Sequence, residues 1–178
     1  MVTLENIKKI KITETHREAA KEIAEKKAFK HSMRGSEANL IGTLGEIITY
    51  QYLNQLKIKT EFDLQFNHDL ILLNNLTADV KTKERTVPPQ LHYDCTVPEY
   101  NHHLQRPNIF IFVSLHATKN NKSFDRFHTG YILGYISLKK LEKIAKHWTP
   151  EMIDISNKWT PTIPCYNVRI DQLNPIQM

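Results

Sequence analysis

Apolar residues recur along this chain in two rhythms, and the changes of rhythm mark its elements. In THREAAKEIAEKKAFKH, residues Ala19, Ala20, Ile23, Ala24 and Ala28 fall on one narrow helical stripe, with charge filling the other side. Thr15 with Glu18 three residues later forms a capping box, so the helix is predicted to start there. A second helix is predicted from Ser36 to about Leu56, where Leu40, Ile41, Leu44, Ile47, Ile48, Tyr52 and Leu56 build a wide stripe for burial. Gly42 and Gly45 inside it each cost about 1 kcal/mol relative to alanine. Such a penalty makes sense where another backbone presses close. Glu46 stands one turn after Gly42, on the face that also carries Thr43, Thr49 and Tyr50.

Beyond Leu56 the period drops to two. TEFDLQF alternates, DLILL is continuous, and TADVKTK alternates again, with the turn residues Asn74 and Asn75 between the last two. After Pro88-Pro89, LHYDCTV sets Leu91, Tyr93, Cys95 and Val97 on one side. PEYNHHLQRP is a short helix or loop between prolines. IFIFVSL, residues 109–115, is a buried central strand. ATKNNKSFDRFH is a long basic loop, TGYILGYI another strand, and Ser137 caps a helix running to about Trp148. CYNVRI closes the list as a last strand. This order predicts an α/β fold with a mixed sheet.

Composition narrows the picture. The chain has 178 residues, 40% of them apolar and 24% charged, which fits one globular domain. No run approaches the roughly 18 apolar residues of a membrane helix. MVTLENIKKIKI lacks an apolar signal core, so a cytoplasmic location is expected, with no membrane partner. Cys95 and Cys165, without a CxxC pattern, read as free thiols in a reducing compartment. A formal charge of +5 leans towards polyanion partners without deciding the matter.

The candidate chemistry lies in HDLILLNNLTADVKTK, residues 68–83, where Asp69, Asp79 and Lys81 interrupt an otherwise apolar hairpin. Buried charge is normally paired or metal-bound. Asp79 and Lys81, two apart on a strand, share a face. If Asn74-Asn75-Leu76 is a three-residue turn, Ile71 faces Asp79 and Asp69 faces Lys81, and all three charges converge. A two-residue turn would send Asp69 to the other face. Converging carboxylates suit Mg²⁺, a hard cation held by one or two carboxylates plus water and phosphate. Such an ion polarises a scissile phosphate and activates water. Lys81 can hold that water or offset charge on the phosphorane. Glu46 can complete the metal shell from the preceding helix.

Asp69-x9-Asp79-Val80-Lys81, with a glutamate in the upstream GTLGEIITYQYL, resembles the PD-(D/E)xK nuclease superfamily, with His68 where the family often has proline. The resemblance covers about residues 36 to 116. It implies a restriction-endonuclease-like core, a mixed central β-sheet flanked by helices. The whole chain, 1–178, would be one such domain, with 1–35 an N-terminal helical extension, 36–116 the catalytic core and 117–178 additional strands and a helix. It further implies a Mg²⁺-dependent DNA endonuclease in which Mn²⁺ substitutes for Mg²⁺. Asp69, Asp79 and Glu46 would be metal residues and Lys81 the catalytic lysine. Family members often dimerise to cut both strands, and this chain's size is compatible with a homodimer. The alternatives are an inactive nuclease-derived DNA-binding module and a structural salt bridge across the hairpin. The connection after Lys81 shows no full-length second helix, a departure from the family.

Lys83 and Arg85 continue the active strand, while Lys119, Lys122 and Arg126 are interleaved with Phe124 and Phe127 in the basic loop. All five cations are candidate DNA contacts, and the two rings are candidate stacking or wedge residues. His92 and Tyr93 are placed at the cleft. His102, His103, His116 and His128 match no zinc spacing and are read as surface or phosphate-contacting groups.

Overall fold

The computed structural model describes residues 1–28, 35–63, 68–100, 106–155 and 158–176. Two helices come early, α1 (Glu14–Ala28) and α2 (Gly35–Gln55). The first begins one residue before the predicted Thr15 cap. Thr13 lies ahead of the helix, its N–H donating to His16 Nδ1 at 3.0 Å, so histidine fills the reciprocal position expected of Glu18. Ala20 and Ile23 still face inward, as the stripe requires.

Six strands form the main sheet: β1 (Lys8–Lys11), β2 (Thr60–Phe62), β3 (Leu70–Leu72), β4 (Leu76–Arg85), β6 (Ile109–Ala117) and β7 (Phe127–Ser137). Their order is β1-β7-β6-β4-β3-β2. Among the described residues the β4–β6 pairing alone is parallel, so the sheet is mixed and the fold is α/β. The N-terminal segment is therefore not purely helical: Lys8–Lys11 pairs with β7 as an edge strand. Its lysines suit an edge, where charge discourages further pairing.

Between β4 and β6 the chain leaves for a second sheet. This sheet has three strands in the order β5-β9-β8: β5 (Asp94–Pro98), β9 (Cys165–Arg169) and β8 (Lys146–Trp148). Sequence reasoning placed Lys146–Trp148 in a helix, and the structure corrects that. Ser137 does cap α3 (Leu138–Ile144), its Oγ accepting from Lys140 N at 3.2 Å. Ala145 is then extended, and Lys146, His147 and Trp148 pair with Asn167, Tyr166 and Cys165. Cross-strand pairing outweighs helix propensity here, and Trp148 gains an edge-on contact with Trp159 at 5.6 Å.

Strand alternation divides β6 between two cores. Ile111, Val113 and Leu115 pack with α1 and α2 residues, while Phe110 and Phe112 pack with Val97, Leu141, Val168 and Ile170 beneath the second sheet. Helices thus cover one face of the main sheet, and the second sheet with α3 covers the other. Cys95 and Cys165 are both buried and free. Among the described residues no helix is long and apolar enough to cross a membrane.

Candidate functional site

The hairpin joining β3 to β4 turns at Leu73–Asn75, where Asn74 and Asn75 adopt φ of 61° and 60°. Asparagine tolerates this left-handed region better than most side chains. The loop has the predicted length but sits one residue earlier. The pairing is consequently Leu70↔Ala78, Ile71↔Thr77 and Leu72↔Leu76, two residues from the expected register. A shift of two preserves the face of every side chain. Extending the register by one step sets Asp69 opposite Asp79, rather than opposite Lys81.

β3 leaves β4 at this point. Asp69 N still donates to Ala78 O at 3.2 Å, and the next inter-strand amide, Val80 N, is taken by the Asp69 side chain, Oδ2, at 2.7 Å. The carboxylate thus replaces the carbonyl that a longer β3 would have supplied. Asp63 supports the approach from the other side, accepting the His68 N–H at 3.1 Å. It is buried and borders the site, yet nothing in the alternation of TEFDLQF distinguishes it.

Asp79 is 2% exposed. Burial pushes its carboxyl up to about 7, the facing Asp69 charge adds to the rise, and Lys81 only partly opposes it. Lys81 Nζ lies 2.5 Å from Asp79 Oδ2 as an ion pair. That buried oxygen nevertheless receives no well-aligned hydrogen bond. The structure therefore brings Asp69, Asp79 and Lys81 together.

Glu46 approaches from α2, which packs on the opposite face of β4. Gly45 makes this possible: a Cβ there would stand 2.0 Å from Thr82 Oγ1, so only glycine admits the strand so closely. Gly42 differs from expectation, because a Cβ there would meet open space. Glu46 is 6% exposed and lies one turn before Tyr50, whose ring sits 4.7 Å from Phe62 of β2. This edge of α2 therefore faces the place where β2 and β3 part from β4. The charges acting on Asp79 are those of Asp69 and Lys81, and Glu46 is not among them. Among the described residues no three His, Cys, Asp or Glu side chains stand close enough to hold a metal ion as placed.

The five candidate DNA contacts separate into two groups. Lys83, Lys119 and Lys122 are exposed. Lys83 lies on the face of Asp79 and Lys81. Although much of its side chain reaches solvent, desolvation by surrounding protein, with Arg85 repulsion behind it, lowers its pKa. Arg85 is held instead by the Asp94 carbonyl at 2.9 Å and by the Tyr93 ring at 4.7 Å.

Arg126 is 6% exposed and fully committed. It donates to Glu84 twice (3.2 and 3.1 Å), to Glu37 (3.0 Å), and to the Lys122 and Ser123 carbonyls (2.9 Å each). Those bonds use all five guanidinium donors. Arg126 is thus a clamp on the loop base, which overturns its reading as a phosphate contact. Phe127 beneath it is fully buried and Phe124 packs against Phe127, so the rings are anchors rather than wedges. The His116 and His128 rings lie 4.9 Å apart, tilted by 57°, and His102 and His103 lie outside the described residues.

No family model matches this chain, and neither a curated protein nor a solved structure matches it.

Proposed function

We propose that the chain is a Mg²⁺-dependent DNA endonuclease, with a restriction-endonuclease-like core of the PD-(D/E)xK type. The observation that supports it best is the facing pair Asp69–Asp79, the first half-buried and the second buried, mutually repelling and incompletely neutralised by one lysine. A structural ion pair needs one carboxylate, whereas two facing each other call for a further cation. The donor set fits Mg²⁺: hard carboxylate oxygens, one lacking a directed hydrogen bond. Asp69 and Asp79 would hold the ion, whereas Glu46, packed on the opposite face of β4, is not placed to ligate it directly. When bound, Mg²⁺ or Mn²⁺ supplies Lewis acidity towards a phosphate and lowers the pKa of a coordinated water. Lys81, on the same face, would position that water or neutralise charge on the phosphorane. Lys83 extends the positive face along β4, and Lys119 and Lys122 offer exposed phosphate contacts.

The test is incubation of supercoiled plasmid, linear DNA, junction DNA and RNA with the protein in Mg²⁺. Cleavage of DNA that is lost in Asp79→Ala is expected. No cleavage of any substrate, or undiminished cleavage by that variant, removes the proposal. The close Lys81–Asp79 contact favours one second reading, a nuclease-derived DNA-binding module with structural charges. Calorimetric titration with Mg²⁺ separates the two, since such a module needs no ion.

A further inference from the structure

A cavity of about 460 Å³ opens on the outer side of the second sheet, bounded chiefly by His92, Asp94, Lys146, Trp148, Asn167 and Arg169. Small-ligand sites commonly measure about 300–1,000 Å³. Asp69, Asp79 and Lys81 do not line it. The strand register arranges its floor: Lys146 on β8 pairs with Asn167 on β9, and Asp94 on β5 pairs with Arg169 two positions along β9. Alternate strand residues share a face, so Lys146, Asn167 and Asp94 lie in a row across three strands.

Asn167 is 4% exposed, and its Nδ2 donates to Asp94 Oδ2 at 3.2 Å. Its Oδ1 meets the Cys165 thiol at 3.9 Å, a weak donor at long range. A buried amide oxygen left in this state calls for a stronger donor. Among the described residues the second carboxylate oxygen of Asp94 accepts no side-chain hydrogen bond and Lys146 pairs with no acid, lying 3.5 Å over the Trp148 ring. A free phosphate suits the cavity poorly, because Arg169 is already paired with Asp171 at 2.9 Å and Asp154 adds a carboxylate to the wall.

The row thus presents a donor, then two acceptors. Guanine has the complementary edge, with O6 accepting and N1–H and N2–H donating side by side. Adenine, cytosine and thymine each lack two adjacent donors on that edge. We infer that this cavity binds a guanine base, with Lys146 donating to O6, Asn167 accepting from N1–H and Asp94 accepting from N2–H. Trp148 and Ile144 form the apolar wall. Lys83 connects the cavity to the main sheet, since its charge acts on Asp94 and it follows Lys81 on one face of β4. On the nuclease reading proposed above, the guanine is an unstacked base of the nucleic acid substrate, read near the cleaved bond.

The experiment titrates the full chain with guanosine, inosine, adenosine and cytidine in EDTA, followed by tryptophan fluorescence and calorimetry. Guanosine should bind saturably, and inosine, which lacks the N2 amino group, should bind at least about tenfold more weakly. Adenosine and cytidine should not saturate over the same range. Lys146→Met removes an exposed surface group with little risk to folding and should weaken guanosine at least about threefold. Asp94→Asn, checked for an unchanged melting temperature, should abolish the preference for guanosine over inosine. Equal affinity for guanosine and inosine, or absence of saturable guanosine binding, overturns the inference. No metal or cleavage enters the measurement, so failure of the nuclease reading and failure of this site are distinguishable.

Discussion

Replacing Asp79 by asparagine tests the charge balance at the hairpin without removing its shape. In the folded chain the Asp79 carboxyl titrates at about 7, against an ordinary value of 3.8. Holding it ionised therefore costs up to about 4 kcal/mol at pH 8, since each pH unit corresponds to about 1.4 kcal/mol. The folded state binds the extra proton, so stability falls as pH rises from about 4 to about 7 and stays low above that. Asp79→Asn removes this penalty but strands Lys81, whose side chain is only 15% exposed. The penalty is already net of the Lys81 attraction, and relaxation around the carboxyl reduces its upper bound, so metal-free Asp79→Asn should be more stable than the parent by about 1–3 kcal/mol at pH 8. For a chain of this size that is roughly 3–10 °C in melting temperature. The difference should shrink towards zero near pH 4, where the parent carboxyl is protonated. Thermal unfolding in EDTA across pH 4–8 measures it directly. Millimolar Mg²⁺ should then raise the parent's melting temperature at pH 8 and leave the variant's unchanged. A variant less stable than the parent at pH 8 refutes the reasoning, because the Lys81–Asp79 pair would then outweigh the repulsion between carboxylates.

Lys81→Met should lower kcat by orders of magnitude with a small change in melting temperature, whereas loss of several kcal/mol of stability would mark the lysine as a structural partner. Changing Lys119 and Lys122 together to alanine should flatten the slope of log affinity against log salt for duplex DNA by about 1.8, at about 0.9 per phosphate contact. Arg126→Met should leave that slope alone and lower the melting temperature instead, since its donors hold Glu84, Glu37 and the loop. Gly45→Ala should destabilise the chain by about 1–3 kcal/mol through its clash with Thr82, and Thr82→Ala should recover most of the loss in a double-mutant cycle.

The parts legible from sequence are those governed by local periodicity. The stripe from Leu40 to Tyr52 located α2 almost to the residue, and the parity of the turn put Asp69, Asp79 and Lys81 on one side despite a register two residues off. What escaped was set by distant partners. Lys146–Trp148 continues a helical pattern, and only β9, some twenty residues away, draws it into a sheet. Arg126 looks like a free cation among basic neighbours until Glu37 and Glu84 converge on it from α2 and β4. The row of Lys146, Asn167 and Asp94 comes from three separate regions of the chain, so no spacing announces it.

Surface turns are where protein chains usually absorb insertions and deletions, and the Leu73–Asn75 loop is exposed. Yet its length fixes which carboxylates meet. Adding or deleting a single residue there would leave β3 and β4 free to pair while turning Asp69 away from Asp79. The same step would turn Leu70 out of the core, so packing and chemistry would be lost together. Length changes of two are the ones that lineage or library could carry with function intact, so tolerance at this loop should run in even steps.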